Sequence, residues 1–346
     1  MTHPPFLDTL GMWEATASLP EQITSALRDI PGVLAAAPPV GGDVRAVVVL
    51  GVGSSGTAAD AVAAYGADRA TVPVWAGKGY DIPAFVGPHT LVLALSHSGT
   101  AGETVAAAGA AHDRGAPVVA VSGGGALSEL AHAAGFPVLP VPPGSPNGRS
   151  ALGAVLVPAL LTLAHFGLTA AVGPSLAAAV PGLARRRDAW LAPGQPADEV
   201  ARRIGRTIPL IYGSSGLTAV AAQRWKTQIN ENAKTPAFFA VQPDLSHNEV
   251  AGWGQHGDVT RQILTLITLR QAGERAEVAR RFELVVAATD EVMANVIAVW
   301  AEGEDDLARF LDLALFGDLV SLYVAGRERI DPGPVAAQLD VEAGFA

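Results

Sequence analysis

Asn230, Glu231, Asn232, Lys234, His247, Asn248 and Glu249 fall within the twenty positions 230–249 of an otherwise apolar chain. A solvated helix face could carry such groups, but it is more often built from Glu, Lys and Arg. Asn lowers helix propensity and is used where one side chain must both donate and accept. A carboxylate and an imidazole are the parts of proton transfer. The carboxylate works best when burial raises its pKa toward neutrality, and an unperturbed imidazole titrates at roughly 6.5. We read this block as the chemical centre.

A second set of groups suits an oxyanion. Gly51-Val52-Gly53-Ser54-Ser55-Gly56 follows one apolar run, and Ser96-His97-Ser98-Gly99-Thr100 follows another. Each is a hydroxyl-rich turn between a strand and a helix, where backbone N–H groups and the positive helix end face an anion. Either turn alone would serve equally as a tight βα connection or an N-cap. Two in succession favour phosphate. Arg149 is the only charge in a turn-rich loop, Pro142 to Ser150, just before an apolar helix. A cation at a helix start opposes the dipole, which fits an arginine turned toward a ligand anion.

The elements that must position these groups alternate. Strands are predicted at 46–50, 90–95, 117–121 and 136–141, with a helix over about 57–65. The first pattern then repeats, because 207–211 runs into Tyr212-Gly213-Ser214-Ser215-Gly216-Leu217 and another helix. Strands are predicted at 262–269 and 285–289, and helices at 274–284 and 307–323, the last interrupted by Gly317-Asp318. A weak terminal helix is expected from Val335. This alternation implies an α/β protein of two doubly wound domains, each a parallel sheet flanked by helices. The expected organisation is an N-terminal helix plus first domain over 1–175, a linker helix over 176–200, and a second domain with a helical tail over 201–346. Arg185-Arg186-Arg187 reads as a solvated face.

Composition narrows the function. The 346 residues suit two ordinary domains, nearly half are hydrophobic, and the net charge of −10 argues against duplex nucleic acid as a partner. Cysteine is absent. That removes disulfides, thiolate nucleophiles and Cys-based zinc sites. His247-Asn248-Glu249 lacks the paired histidines of a zinc helix, so no metal and no cofactor is expected. The apolar stretch 151–164 is shorter than a membrane span and contains Gly153 and Pro158. No signal peptide is evident, and we expect a cytoplasmic protein with no membrane partner.

Laid out in this way, the chain resembles the sugar isomerase (SIS) superfamily, and within it the bifunctional phosphoglucose/phosphomannose isomerases. The carrying motifs are Arg224-Trp225-Lys226-Thr227-Gln228-Ile229-Asn230-Glu231-Asn232-Ala233-Lys234, His247-Asn248-Glu249 and Phe310-Leu311-Asp312-Leu313-Ala314-Leu315-Phe316-Gly317-Asp318. The resemblance implies two SIS-type domains and an aldose–ketose isomerase. Its reaction would interconvert glucose 6-phosphate or mannose 6-phosphate with fructose 6-phosphate through a cis-enediol. It implies Glu231 as the base between C2 and C1, and Arg149 as the cation at the enediolate. His247 would be the ring-opening histidine, reaching in from the partner of a homodimer. Gly53, Ser54, Ser55, Ser96, Ser98 and Thr100 fall on the phosphate turns, Thr100 standing one place before the family's Thr, whose position holds Ala101. Glu249 and Lys234 are expected to support the site. In the tail, the family's Thr and Lys align with Gly333 and Asp340. That departure keeps open an alternative, a non-catalytic or regulatory sugar-phosphate binder. An aminosugar reaction is a third possibility, although glutamine-driven amination would lack its cysteine nucleophile.

Overall fold

The computed structural model describes residues 6–37, 43–142, 144–192, 194–336 and 344. The chain divides into two compact units, one of Ser18–Gly182 and one of Leu183–Ala346 together with Met1–Ala17. The short helix Met12–Ala17 therefore packs in the C-terminal unit, against the helix Asp306–Arg327. Sequence reading assigns it to the first domain instead.

The unit Ser18–Gly182 is built on a five-stranded parallel sheet. Its strands are β1 (Ala46–Leu50), β2 (Val74–Gly77), β3 (Thr90–Ser96), β4 (Val118–Ser122) and β5 (Val138–Pro140), in the order β2-β1-β3-β4-β5. Val47 to Leu50 and Leu91 to Leu95 are buried at every position. Both faces of these central strands are covered, which explains why they read as continuous β-branched and aliphatic runs rather than alternating ones. The helices Gly53–Gly66, Gly102–Asp113 and Gly125–Ala134 connect the strands, and Leu19–Ala36 packs on Leu152–His165.

The C-terminal unit carries a four-stranded parallel sheet of β6 (Ile208–Ser214), β7 (Phe238–Gln242), β8 (Leu264–Arg270) and β9 (Asn295–Trp300), ordered β7-β6-β8-β9. The helix Leu217–Ala233 joins β6 to β7 and lies along Asp306–Arg327, most of whose residues are buried. Gly317 does not interrupt that helix. A Cβ there would come 2.2 Å from Trp225 Nε1, so glycine is what lets the indole press against the backbone and donate to Leu313 O at 2.8 Å.

Other departures have local causes. Residues 285–289 are the last turns of a helix, Ala276–Thr289, which buries Phe282, Val285 and Thr289 at helical spacing. The strand is the later β9. Residues 262 and 263 close a short helix, Gly257–Ile263, ahead of β8. The short strand β2 and the edge strand β7 have no clear sequence signal, since Trp75, Phe238 and Phe239 are exposed where a buried strand would be apolar and covered. Arg186 and Arg187 are not a solvated face. Arg186 pairs with Asp312 and Glu302, and Arg187 is buried and donates to Ala17 O at 3.2 Å. The expected helix from Val335 lies largely outside the described residues.

Candidate active site

In the unit Ser18–Gly182, the strand order reverses between the parallel strands β1 and β3, and the turns after those two strands meet at one edge of the sheet. This is the crevice where open α/β sheets bind ligands. The helix Gly53–Gly66 starts directly from the β1 turn, with Gly53 at φ 55°. Ser55 is buried, and its Oγ accepts from the His97 N–H at 3.2 Å, tying the first turn to the second. Ser96 is also buried, and its Oγ accepts from the Gly99 N–H at 3.1 Å. These two serines thus shape the turns. Ser98 and Thr100 are exposed with their hydroxyls 2.8 Å apart, and Ser54 is half-buried. With the exposed Gly53, they are the open groups of the two turns.

Arg149 joins this edge through its neighbour. It lies in the single helical turn Gly148–Ser150 and is 4% exposed. A Cβ on Gly148 would come 3.3 Å from His97 Cβ and 3.7 Å from Ser54 Cβ, so the Arg149 turn is seated on both hydroxyl turns. It is fixed from behind by Gln22. That side chain donates to Ser150 O at 2.7 Å and accepts from the Gly153 N–H at 3.0 Å, capping the helix Leu152–His165. A guanidinium stays charged even when buried. The edge therefore combines hydroxyls and a helix N-terminus with the backbone turn that carries Arg149, a set of groups that suits an anion.

His97 belongs to the second of these turns, and burial pushes its imidazole below the usual histidine range. Lys78, just past β2, forms an ion pair with Asp60, and its stem passes 3.4 Å from where a Cβ on Gly56 would stand.

In the C-terminal unit, Glu231 occupies the last turn of the helix Leu217–Ala233. One face of that helix is spent on the scaffold. Arg224 binds Asp318 with both atoms buried, at 2.7 Å, and Asn232 Nδ2 donates to Ser321 Oγ at 2.9 Å. The opposite face leaves Thr227, Asn230 and Glu231 half-buried. A carboxylate here meets the negative end of the helix dipole, a mismatch that a purely structural position would avoid. Lys234 closes the helix in left-handed backbone, φ 54°, with its ammonium on Glu231 O and Pro332 O. Of the polar block, Asn232 is thus scaffold and Asn230 ties Thr235 O at 2.8 Å.

His247 is exposed in the turn Asp244–His247 that follows β7. Glu231 precedes β7 and His247 follows it, so within one chain they stand off opposite ends of this strand. Five strand residues span roughly 16 Å. Glu249 accepts a hydrogen bond from the buried Tyr212 OH at 2.6 Å. In the tail, a Cβ on Gly333 would come 2.7 Å from Leu10 Cγ, so a side chain there displaces Leu10. Asp340 lies outside the described residues. Among the described residues, no cluster of three or more His, Cys, Asp or Glu is placed to hold a metal.

The chain is 33% identical to the bifunctional phosphoglucose/phosphomannose isomerase of Caldicellulosiruptor bescii, over 94% of this chain and 96% of that one. It is 31% identical to the protein of the same description from Aquifex aeolicus, over 84% and 87%. Residues 194–339 match the bacterial phospho-glucose isomerase C-terminal SIS domain family.

The chain belongs to this family of SIS-domain isomerases. The family resemblance read from the motifs and the α/β fold expected from the alternating elements both hold. A solved glucosamine-6-phosphate deaminase from Thermotoga maritima shares the fold, with a TM-score of 0.68 at 13% identity over 93% of this chain and 96% of that one. No helix among the described residues is long and apolar enough to cross a membrane.

Sequence reading does not single out Gln22, Tyr212 or Gly148. Their partners lie far along the chain, Gln22 being 128 residues from Ser150. Only His97 carried a local signal, an imidazole inside a hydroxyl turn.

Proposed function

We propose that the protein interconverts glucose 6-phosphate or mannose 6-phosphate with fructose 6-phosphate through a cis-enediol. The observation that carries this reading is the Arg149 turn, whose Gly148 packs against Ser54 and His97 of the two hydroxyl turns and whose arginine is itself buried. Gly53, Ser54, Ser98 and Thr100 hold the phosphate, while Ser55 and Ser96 shape the turns that present them. Glu231 takes the C2 proton of the open-chain aldose as electrons move onto the C1 carbonyl oxygen. It returns the proton to C1 as the C2 hydroxyl gives its own proton to the C1 oxygen and becomes the carbonyl. Arg149 stabilises the charge on the enediolate. His247 opens the ring before this exchange, passing a proton between the ring oxygen and the anomeric hydroxyl.

The proposal includes a second copy of the chain. Glu231 and His247 stand off opposite ends of β7, which supports a site using His247 from one copy and Glu231 from another. Proton transfer of this kind needs no metal, so turnover is expected to be indifferent to EDTA. The test is a coupled assay with the three hexose phosphates. Turnover of glucose 6-phosphate or mannose 6-phosphate to fructose 6-phosphate is the expected result. Binding of all three with no turnover would overturn the reading.

A further inference from the structure

We propose that Tyr212 is a positioning residue that sets the direction of His247 by gripping Glu249. This rests on the reading of His247 as the ring-opening group.

His247 is exposed, and its ring makes no hydrogen bond among the described residues, so its direction is set by the turn that carries it. That turn is held at both ends. Ahead of His247, Leu245 is buried and Ser246 Oγ donates to Gln242 Oε1, at the end of β7, at 2.7 Å. Beyond it, Asn248 Nδ2 donates to Asp244 at 3.1 Å while its Oδ1 accepts from the Glu249 N–H at 2.6 Å. The distal end is fixed to the sheet through Glu249, whose Oε1 receives the Tyr212 hydroxyl at 2.6 Å. Trp253 Nε1 donates to the same phenol oxygen at 3.1 Å, which leaves the phenol proton for Glu249.

Tyr212 lies on β6 with no exposed surface. Its ring alone would fill that space as phenylalanine. A buried hydroxyl is unfavourable unless it is hydrogen-bonded, and a bond to a carboxylate is among the stronger ones. Burial and the neighbouring Glu249 both push the phenol well above its ordinary pKa. It therefore stays protonated and remains a donor throughout the working pH range. Tyr212 touches no substrate in this account and moves no proton. Its effect reaches the reaction only by way of His247.

The test is a double-mutant cycle on hexose phosphate turnover. Tyr212→Phe should lower kcat roughly tenfold in the wild-type background and have little further effect in a His247→Ala background, the signature of two residues acting as a unit. Equal losses in both backgrounds would overturn the proposal. Glu249→Gln, which keeps an acceptor, should lose less than Glu249→Leu; equal losses would also count against it. Amide exchange provides a readout independent of turnover. Tyr212→Phe should speed exchange in the segment 246–249 and leave β6 and β8 protected, whereas unchanged protection there contradicts the idea. If Tyr212→Phe does not fold, Trp253→Phe is measured in the same way, with the same opposing outcomes. A wild type that turns over none of the three sugars would refute the isomerase reading, and amide exchange would still decide the role of Tyr212.

Discussion

At the scale of single residues, each charged group of the proposed site has one task, and its loss has an expected effect. Glu231→Gln should lower kcat by roughly 10²–10⁴-fold, the usual range for a general base, and steady-state kinetics checks it. Unaltered kcat would remove Glu231 from the mechanism. His97 predicts a pH effect on stability rather than on chemistry. Burial depresses its pKa in the folded protein. The unfolded chain therefore takes up a proton near pH 6.5, about the unperturbed value, that the folded chain refuses. Stability contributed in this way is present above about 6.5 and is lost as pH falls through the folded pKa. Thermal melting of wild type should fall more steeply below pH 6.5 than that of His97→Gln; parallel curves would contradict this. Residue types were the most legible part of the sequence. Ser54, Ser98 and Thr100 stand at the ends of strands, where a hydroxyl turn can be recognised locally. The division of labour among the serines was not legible. Ser55 and Ser96 look identical to their neighbours until the His97 and Gly99 N–H groups are seen bonded to them.

At the scale of elements, the helix Leu217–Ala233 is held by one face so that the other can carry Glu231. Gly317 makes that contact possible. Gly317→Ala would gain about 1 kcal/mol of helix propensity in an open helix. Here the added Cβ would fall 2.2 Å from Trp225 Nε1, which forces a backbone or indole shift. Overpacking of this kind costs about 1–3 kcal/mol, so the substitution should be destabilising in urea unfolding. A higher urea midpoint would show that the indole is free to move. The same contact explains why sequence reading expects a break at Gly317-Asp318. Glycine in a helix is a poor helix former, and only the partner Trp225, 92 positions earlier, shows what it is for. The central strands β1, β3, β6 and β8 were legible because burial on both faces leaves an unbroken apolar run. The strands β2 and β7 were not, being short and carrying exposed aromatics. The run Leu284-Val285-Val286-Ala287-Ala288 fits a strand or a helix equally well, and only packing around Phe282 decides for helix.

At the scale of the whole molecule, the strand–Gly-Ser-Ser-Gly–helix pattern occurs twice, in two sheets with different uses. The β1 and β3 turns of the first sheet gather hydroxyls and the Arg149 turn. In the second sheet, the helix before β7 carries Glu231 and the turn after β7 carries His247. The alternation of elements made the two sheets legible, but nothing local shows that the residues before Ser18 join the C-terminal unit. The separation of Glu231 and His247 across β7 supports the proposed proton-transfer site completed by two copies of the chain. Mixing Glu231→Gln with His247→Ala protein, each of low activity alone, tests it most directly. Random exchange into symmetric dimers should leave one complete site in each mixed dimer and restore about a quarter of wild-type turnover of the hexose phosphate. Activity that stays at the average of the two separate variants, with subunit exchange demonstrated, would contradict the shared site.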